Sequence, residues 1–284
     1  LFSGHASQPA VYTVTICFSI LSCVVVGLRL TTRLAIVRQT GWDDVLISLA
    51  CVRMFLTRWT CCLCSQVLAK HGMGLHLHSL TPELIVTTTK WLWTFFWLYY
   101  ASLSFTKLSL LLQYLRIFPH PRFVRACHTL LVIVAVWSVW AVFSGIFNCA
   151  PMSLFWTSSV WNPPGCIPRL PLWYSNSAIN IVTDFATALL PIPIIHTLAI
   201  PKRQKNMLLC VFAAGLFTCL VSILRLIYIY PLAVSPDVTW DAPLVTIWSC
   251  VEANTAILCA CVPTLKGLVQ RYYPKLLDSV RSTP

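Results

Sequence analysis

The chain has 284 residues; 58% are hydrophobic, only 10% are charged, and 20 Lys and Arg against 8 Asp and Glu give a formal net charge of +12. A soluble domain carries about 25% charged residues, and one this apolar would expose large patches and aggregate, so the composition excludes a soluble globular fold and calls for lipid as solvent. The basic residues stand in short clusters between long apolar runs, the arrangement of topology signals rather than of a nucleic-acid patch, and nucleic acid is not an expected partner.

A spanning helix needs about 20 mostly apolar residues. Seven segments qualify: Ala10–Leu28, Asp44–Ala69, Trp91–Leu115, His128–Asn148, Trp173–Leu198, Met207–Leu232 and Pro243–Leu265. The chain opens on Leu1 rather than Met and reads as trimmed. No signal-peptide pattern precedes the first run, which is long enough to act as its own insertion signal. The second run is the weakest, since it contains Arg53 and Arg58. The third reads as one long helix from near Pro82, because no Pro or Gly interrupts the chain from there to Phe118. A backbone in lipid must bond within its own segment or around a closed barrel. Runs of this length without strict alternation exclude the barrel. The expected fold is therefore all-α, a single polytopic domain over residues 1–284 whose partner is the lipid bilayer.

Orientation follows from the basic residues of the connections. One set holds Arg29, Arg33, Arg38, Arg116, Arg122, Arg125, Lys202, Arg203 and Lys205, and the tail adds Lys266, Arg271, Lys275 and Arg281. The opposite set holds Lys70 and Arg169. Basic residues stay on the cytoplasmic side, so the N-terminus is expected outside and the C-terminus in the cytoplasm.

Several residues carry chemistry beyond spanning. Asp43 and Asp44 stand at the cytoplasmic start of the second run, with Lys107 toward the inner part of the third. They form either a lock that opens on signalling or a helix cap beside a snorkelling lysine. His71, His76 and His78 lie in an outer connection, with Asp237 and Asp241 in another; they make a weak metal set, or a glycine-permitted turn with solvated histidines. Cys149 and Cys166 flank an outside connection in an oxidising compartment, where they form a disulfide or remain two separate thiols. Pro191 and Pro193 bend the fifth run near its inner end.

Asp184, Arg225 and Glu252 lie inside the fifth, sixth and seventh runs at similar depth. Arg225 has the reach to serve both carboxylates, with Asn180 one turn from Asp184 on the same face. Ionisable groups in a membrane are costly and face a bundle interior or water. The set is a ligand, ion or proton site, or a structural network that orders the helices.

Taken in order, RLAIVRQTGWDD (33–44), GMGLH (72–76), KLSLLLQYLRIF (107–118), NCAP (148–151), GC (165–166), NIVTD (180–184), LPIPII (190–195), PKRQK (201–205), ILRL (223–226), WSCVEAN (248–254) and CVPTLKGL (261–268) span nearly the whole chain. In these pieces the sequence resembles the fungal seven-transmembrane rhodopsin-domain family. The resemblance implies a fungal, receptor-like membrane protein, some relatives sensing surfaces or host cues and others being encoded in secondary-metabolite clusters. It does not imply retinal. The Schiff base needs a lysine within the last run, which holds none; Glu252 occupies its membrane level, and Lys266 already lies at the cytoplasmic end.

No Walker loop, dinucleotide fingerprint, HExxH or nucleophile elbow is found, and no cofactor is expected. The leading functional expectation is a receptor-like protein of the plasma membrane that senses an extracellular or lipophilic cue, with no assigned cytoplasmic partner. The alternatives are an intramembrane enzyme or accessory protein of a secondary-metabolite pathway, with Asp184 and Glu252 as acid and base, and a transporter.

Overall fold

The structure is a computed structural model and describes residues 8–32, 45, 80–118, 120–157, 163–192, 202–234 and 237–272. Seven helices form among them: α1 (Gln8–Thr31), α2 (Pro82–Ile117), α3 (Pro121–Ile146), the single turn α4 (Leu154–Thr157), α5 (Arg169–Leu189), α6 (Lys202–Val234) and α7 (Val238–Tyr272). No β-strand occurs among the described residues; an isolated bridge pairs Cys149 with Cys166. Five helices (α1, α2, α3, α6 and α7) are long and apolar enough to cross a membrane. The second expected run, Asp44–Ala69, lies outside the described residues apart from Val45.

The helix bounds overshoot the apolar runs. α3 begins at Pro121 and not near His128, and α7 continues to Tyr272 beyond Leu265. Hydropathy registers only the stretch that lipid covers, whereas backbone bonding continues into polar flanks. Proline starts α2 and α3, where its missing N–H would have had no intrahelical acceptor. Pro231 lies inside α6, near its end, where it removes one backbone donor.

The outer face is as apolar as the core, which includes Phe95, Leu103, Leu111, Ile229 and Ile257. Lipid-facing α3 exposes Val132, Val136, Val139, Trp140 and Phe143, and α6 exposes Phe217, Leu220 and Ile227. Polar side chains share the interior with that core, among them Lys107, Gln113, Asn176, Asn180, Arg225 and Glu252. α2 and α7 are central, with 72% of their most apolar windows buried, against 22% for α1.

Cross-helix contacts fix the directions. Arg29 of α1 donates to Gln113 Oε1 of α2 at 3.0 Å and to the Ala260 carbonyl of α7 at 2.6 Å. Ser22, two turns earlier on α1, donates to Asn254 of α7 at 2.7 Å, and Tyr99 of α2 reaches Glu252 of α7. α1, α2 and α7 are therefore parallel, and α3 and α6 run against them.

One end of the bundle is closed by the Cys149–Cys166 disulfide. Ala150 N donates to Gly165 O and Ile167 N to Asn148 O, both at 2.9 Å. Gly165 sits at φ +99°, and a Cβ there would stand 3.0 Å from the Ala150 carbonyl oxygen, so only glycine fits this turn. The same loop presents Phe155 under Arg169 and Trp156 under Lys90, at 4.7 and 5.6 Å from ring centroid to cation.

Candidate functional site

α5 brings the site together. Asn176, Asn180, Thr183, Asp184 and Thr187 are three or four residues apart and form one polar stripe on the helix. In lipid that stripe has to face other helices. It meets Lys107 of α2, Ser222 of α6 and Glu252 of α7, and Glu252 in turn brings in Tyr99 of α2 and Arg225 of α6, with Ser249 of α7 beside Arg225.

Two ion pairs result. Lys107 Nζ stands 3.1 Å from Asp184 Oδ1. The Asn180 carbonyl at 2.9 Å, Asn180 Oδ1 at 2.8 Å and Thr183 Oγ1 at 2.6 Å share its three hydrogens with Asp184. Arg225 Nε lies 3.7 Å from Glu252 Oε2 and donates to Ser249 Oγ at 3.1 Å. The Tyr99 hydroxyl donates to the same Glu252 oxygen at 2.6 Å. Aromatic faces take up part of both cations: Trp137 lies 4.9 Å from Lys107 Nζ, and Tyr99 4.3 Å from the Arg225 guanidinium carbon. Such contacts strengthen where water is excluded.

Two side chains join the pairs. Asn180 Nδ2 donates to Asp184 Oδ2 at 3.1 Å and to Glu252 Oε1 at 2.8 Å, one hydrogen for each carboxylate. Ser222 Oγ lies 2.7 Å from Glu252 Oε1, 3.0 Å from the Thr218 carbonyl and 3.2 Å from Asp184 Oδ2. A hydroxyl carries one hydrogen, so Ser222 serves one of the three acceptors at a time. Rotation of this one bond redistributes donors between the pairs. A cavity of about 40 Å³ adjoins Lys107 and Asp184, lined also by Tyr114, Thr187, Gly215 and Thr218. At roughly 10–15 Å³ per water on this measure, it has room for about three or four.

The structure thus places Asp184, Arg225, Glu252 and Asn180 in one cluster, with the charges paired differently from the sequence expectation. Depth in the membrane lets Arg225 serve both carboxylates, whereas in the structure it pairs with Glu252 and Asp184 takes Lys107 as its cation. Lys107 does not snorkel: it is 4% exposed, because Asn180, Thr183 and Asp184 of α5 meet it at its own depth. Its expected partners Asp43 and Asp44 lie outside the described residues, as do His71, His76 and His78. Asp237 Oδ1 accepts from Thr239 Oγ1 at 3.1 Å beside the start of α7. Tyr99, Thr183, Ser222 and Ser249 escaped the sequence reading. Their signal is phase: Ser222 and Ser249 lie three residues from Arg225 and Glu252, Thr183 three from Asn180, and Tyr99 about two turns from Lys107.

Comparison with known proteins follows the same chain. A SAT4 family membrane protein of Emericella nidulans is 33% identical over 72% of this chain and 52% of its own length. A polyenoic acids biosynthesis gene cluster protein of Metarhizium anisopliae, Ba17b, is 26% identical over 93% of this chain and 75% of its own. Receptor GIN3 of Arthrobotrys oligospora is 24% identical over 65% of this chain and 44% of its own. The chain therefore spans about half the length of two of these three relatives. No solved structure matches it. The fungal rhodopsin domain matches residues 28–271, a range that holds every residue of the ion network. The chain belongs to the fungal rhodopsin domain family and is a multi-pass membrane protein.

Proposed function

We propose that this chain is a seven-span, receptor-like protein of the plasma membrane, N-terminus outside and C-terminus in the cytoplasm, which a small lipophilic cue switches. Parallel α1 and α2 support the seventh crossing, since the chain between them has to return to the disulfide end. α5 counts as a span despite its polar stripe, because the stripe faces inward. The disulfide supports an oxidising exterior at that end.

The observation that carries the switching role is the joined ion network on α2, α5, α6 and α7. Breaking a buried pair by removing one partner costs about 3–5 kcal/mol. Moving a two-state equilibrium from 1:99 to 99:1 takes about 5.5 kcal/mol of differential binding. Arrangements of the network that leave a charge unpaired differ from the paired one on that scale, and a cue has only to favour one arrangement of its donors.

Spin labels introduced as unnatural amino acids at Ile117 of α2 and Leu189 of α5, both at the end opposite the disulfide, test this reading. Two distance populations are expected in lipid nanodiscs, with their ratio shifted by Arg225→Met. A single distance unchanged by the substitution refutes the switch.

A second reading, an enzyme or accessory protein of secondary metabolism, is favoured by the biosynthetic-cluster names of several relatives. In it Asp184 and Glu252, sharing donors through Asn180 and Ser222, act as acid and base. Microsomes incubated with pathway intermediates should then form a product that Asp184→Asn abolishes.

A further inference from the structure

We propose that the bundle contains a ligand site on the disulfide side of the ion network, and that this site takes the carboxylate of a lipophilic acid. The inference rests on the receptor reading and names the chemical class of its cue. Five buried polar atoms without a hydrogen-bond partner belong to residues of four packed helices on this side: Arg225 Nη2, Tyr100 Oη, Trp137 Nε1, Ser177 Oγ and Asn176 Oδ1. All five residues are more than nine-tenths buried.

They come from four neighbouring helices. The Tyr100 ring of α2 lies 6.4 Å from the Trp137 ring of α3 and 5.8 Å from the Arg225 guanidinium carbon of α6. α5 packs against both α3 and α6. It carries Asn176 and Ser177 one turn nearer the disulfide end than Asn180, whose side chain already reaches α2 and α7. Asn176 Nδ2 donates across to Ser144 of α3 at 3.4 Å, and that contact leaves Oδ1 toward its other neighbours.

Each buried polar atom left alone costs about 1–3 kcal/mol, and native interiors hold only a few per 100 residues. Five on facing helices near one level point to a site for something polar. Its chemistry is one-sided. Arg225 Nη2 and Trp137 Nε1 only donate, Tyr100 and Ser177 donate or accept, and Asn176 Oδ1 alone is restricted to accepting. The complement is rich in acceptor oxygens.

Charge points the same way. The guanidinium of Arg225 is held by Glu252 only through Nε at 3.7 Å, so its fork retains capacity for a carboxylate. Lys90 stands exposed at the disulfide end, over Trp156, where it attracts anions toward the bundle. One turn farther out the neighbouring side chains are aromatic, Phe96 and Trp173 packing with ring centroids 4.9 Å apart, a surface compatible with an apolar body.

The test uses the full chain in nanodiscs of phosphatidylcholine, which contributes no carboxylate. Dodecanoic acid and methyl dodecanoate are titrated and tryptophan fluorescence is read. The acid is expected to bind, and the ester at least tenfold more weakly. Tyr100→Phe and Ser177→Ala, each removing a single oxygen, should each weaken the acid by about tenfold, and Arg225→Lys by more. Equal affinity for acid and ester overturns the proposal. So does failure of both probes to bind, or unchanged acid affinity in Tyr100→Phe and Ser177→Ala proteins that unfold at the wild-type temperature. Failure here leaves the receptor reading standing if the Ile117–Leu189 distances still respond to Arg225→Met. Binding without that response removes the receptor reading and keeps the site.

Discussion

Removing the charge of Asp184 should expose how much the Lys107 pair holds. At 3.1 Å and an effective dielectric of 20, the Coulomb attraction is about 5 kcal/mol. Both side chains are nearly out of contact with solvent, 5% and 11% exposed, so screening is weak. Asp184→Asn keeps shape and hydrogen-bonding capacity but strands the ammonium, which should cost about 3–5 kcal/mol. Interhelical hydrogen bonds in membrane proteins average only about 0.6 kcal/mol, so a loss of that size has to come from charge. Lys107→Met alone strands the carboxylate and should cost a similar amount. The double variant leaves neither ion buried, although Asn180 and Thr183 still lose their donor. It should be more stable than the sum of the single costs by about 2–3 kcal/mol. Thermal unfolding in one detergent would read this as midpoint drops of about 6–20 °C for each single variant, at roughly 2–4 °C per kcal/mol. Costs that add within about 0.5 kcal/mol would refute the pairing of Lys107 with Asp184.

Other substitutions probe packing, loop and topology. A Cβ on Gly215 would stand 2.8 Å from Ala188 Cβ, so Gly215→Ala should destabilise by about 1–3 kcal/mol, and adding Ala188→Gly should restore the midpoint. The disulfide closes a separation of 17 residues, so Cys149→Ser should cost about 3 kcal/mol, read as a lower unfolding midpoint that reducing agent reproduces in the wild type. An N-glycan acceptor inserted beside Pro164 should be modified in a eukaryotic host, and one at Lys202–Lys205 should not. The opposite pattern would invert the topology.

Much of the bundle was legible before any coordinates. Hydropathy and loop charge are sums over neighbouring residues, so the apolar runs of α1, α2, α3, α6 and α7 announced themselves, as did the inward-facing role of Asp184, Arg225 and Glu252. Desolvating a charge in lipid is so costly that only the interior remains for it. Helix ends were less legible. Backbone bonding extends α3 back to Pro121 and α7 on to Tyr272 through residues whose hydropathy carries no signal. The turn at α4 has only four residues, too few for any periodicity.

Composition along the chain therefore determined the solvent, the element type and which ionisable residues had to be covered. Tertiary structure alone decided who covers whom. Depth permits Arg225 to reach either carboxylate, and the rotation of α6 against α7 gives it to Glu252, which leaves Asp184 to Lys107, 77 residues away in the chain. Those rotations are set by side-chain packing between helices, as where Gly215 meets Ala188, and packing is a property of pairs of surfaces that neither strand of sequence contains by itself.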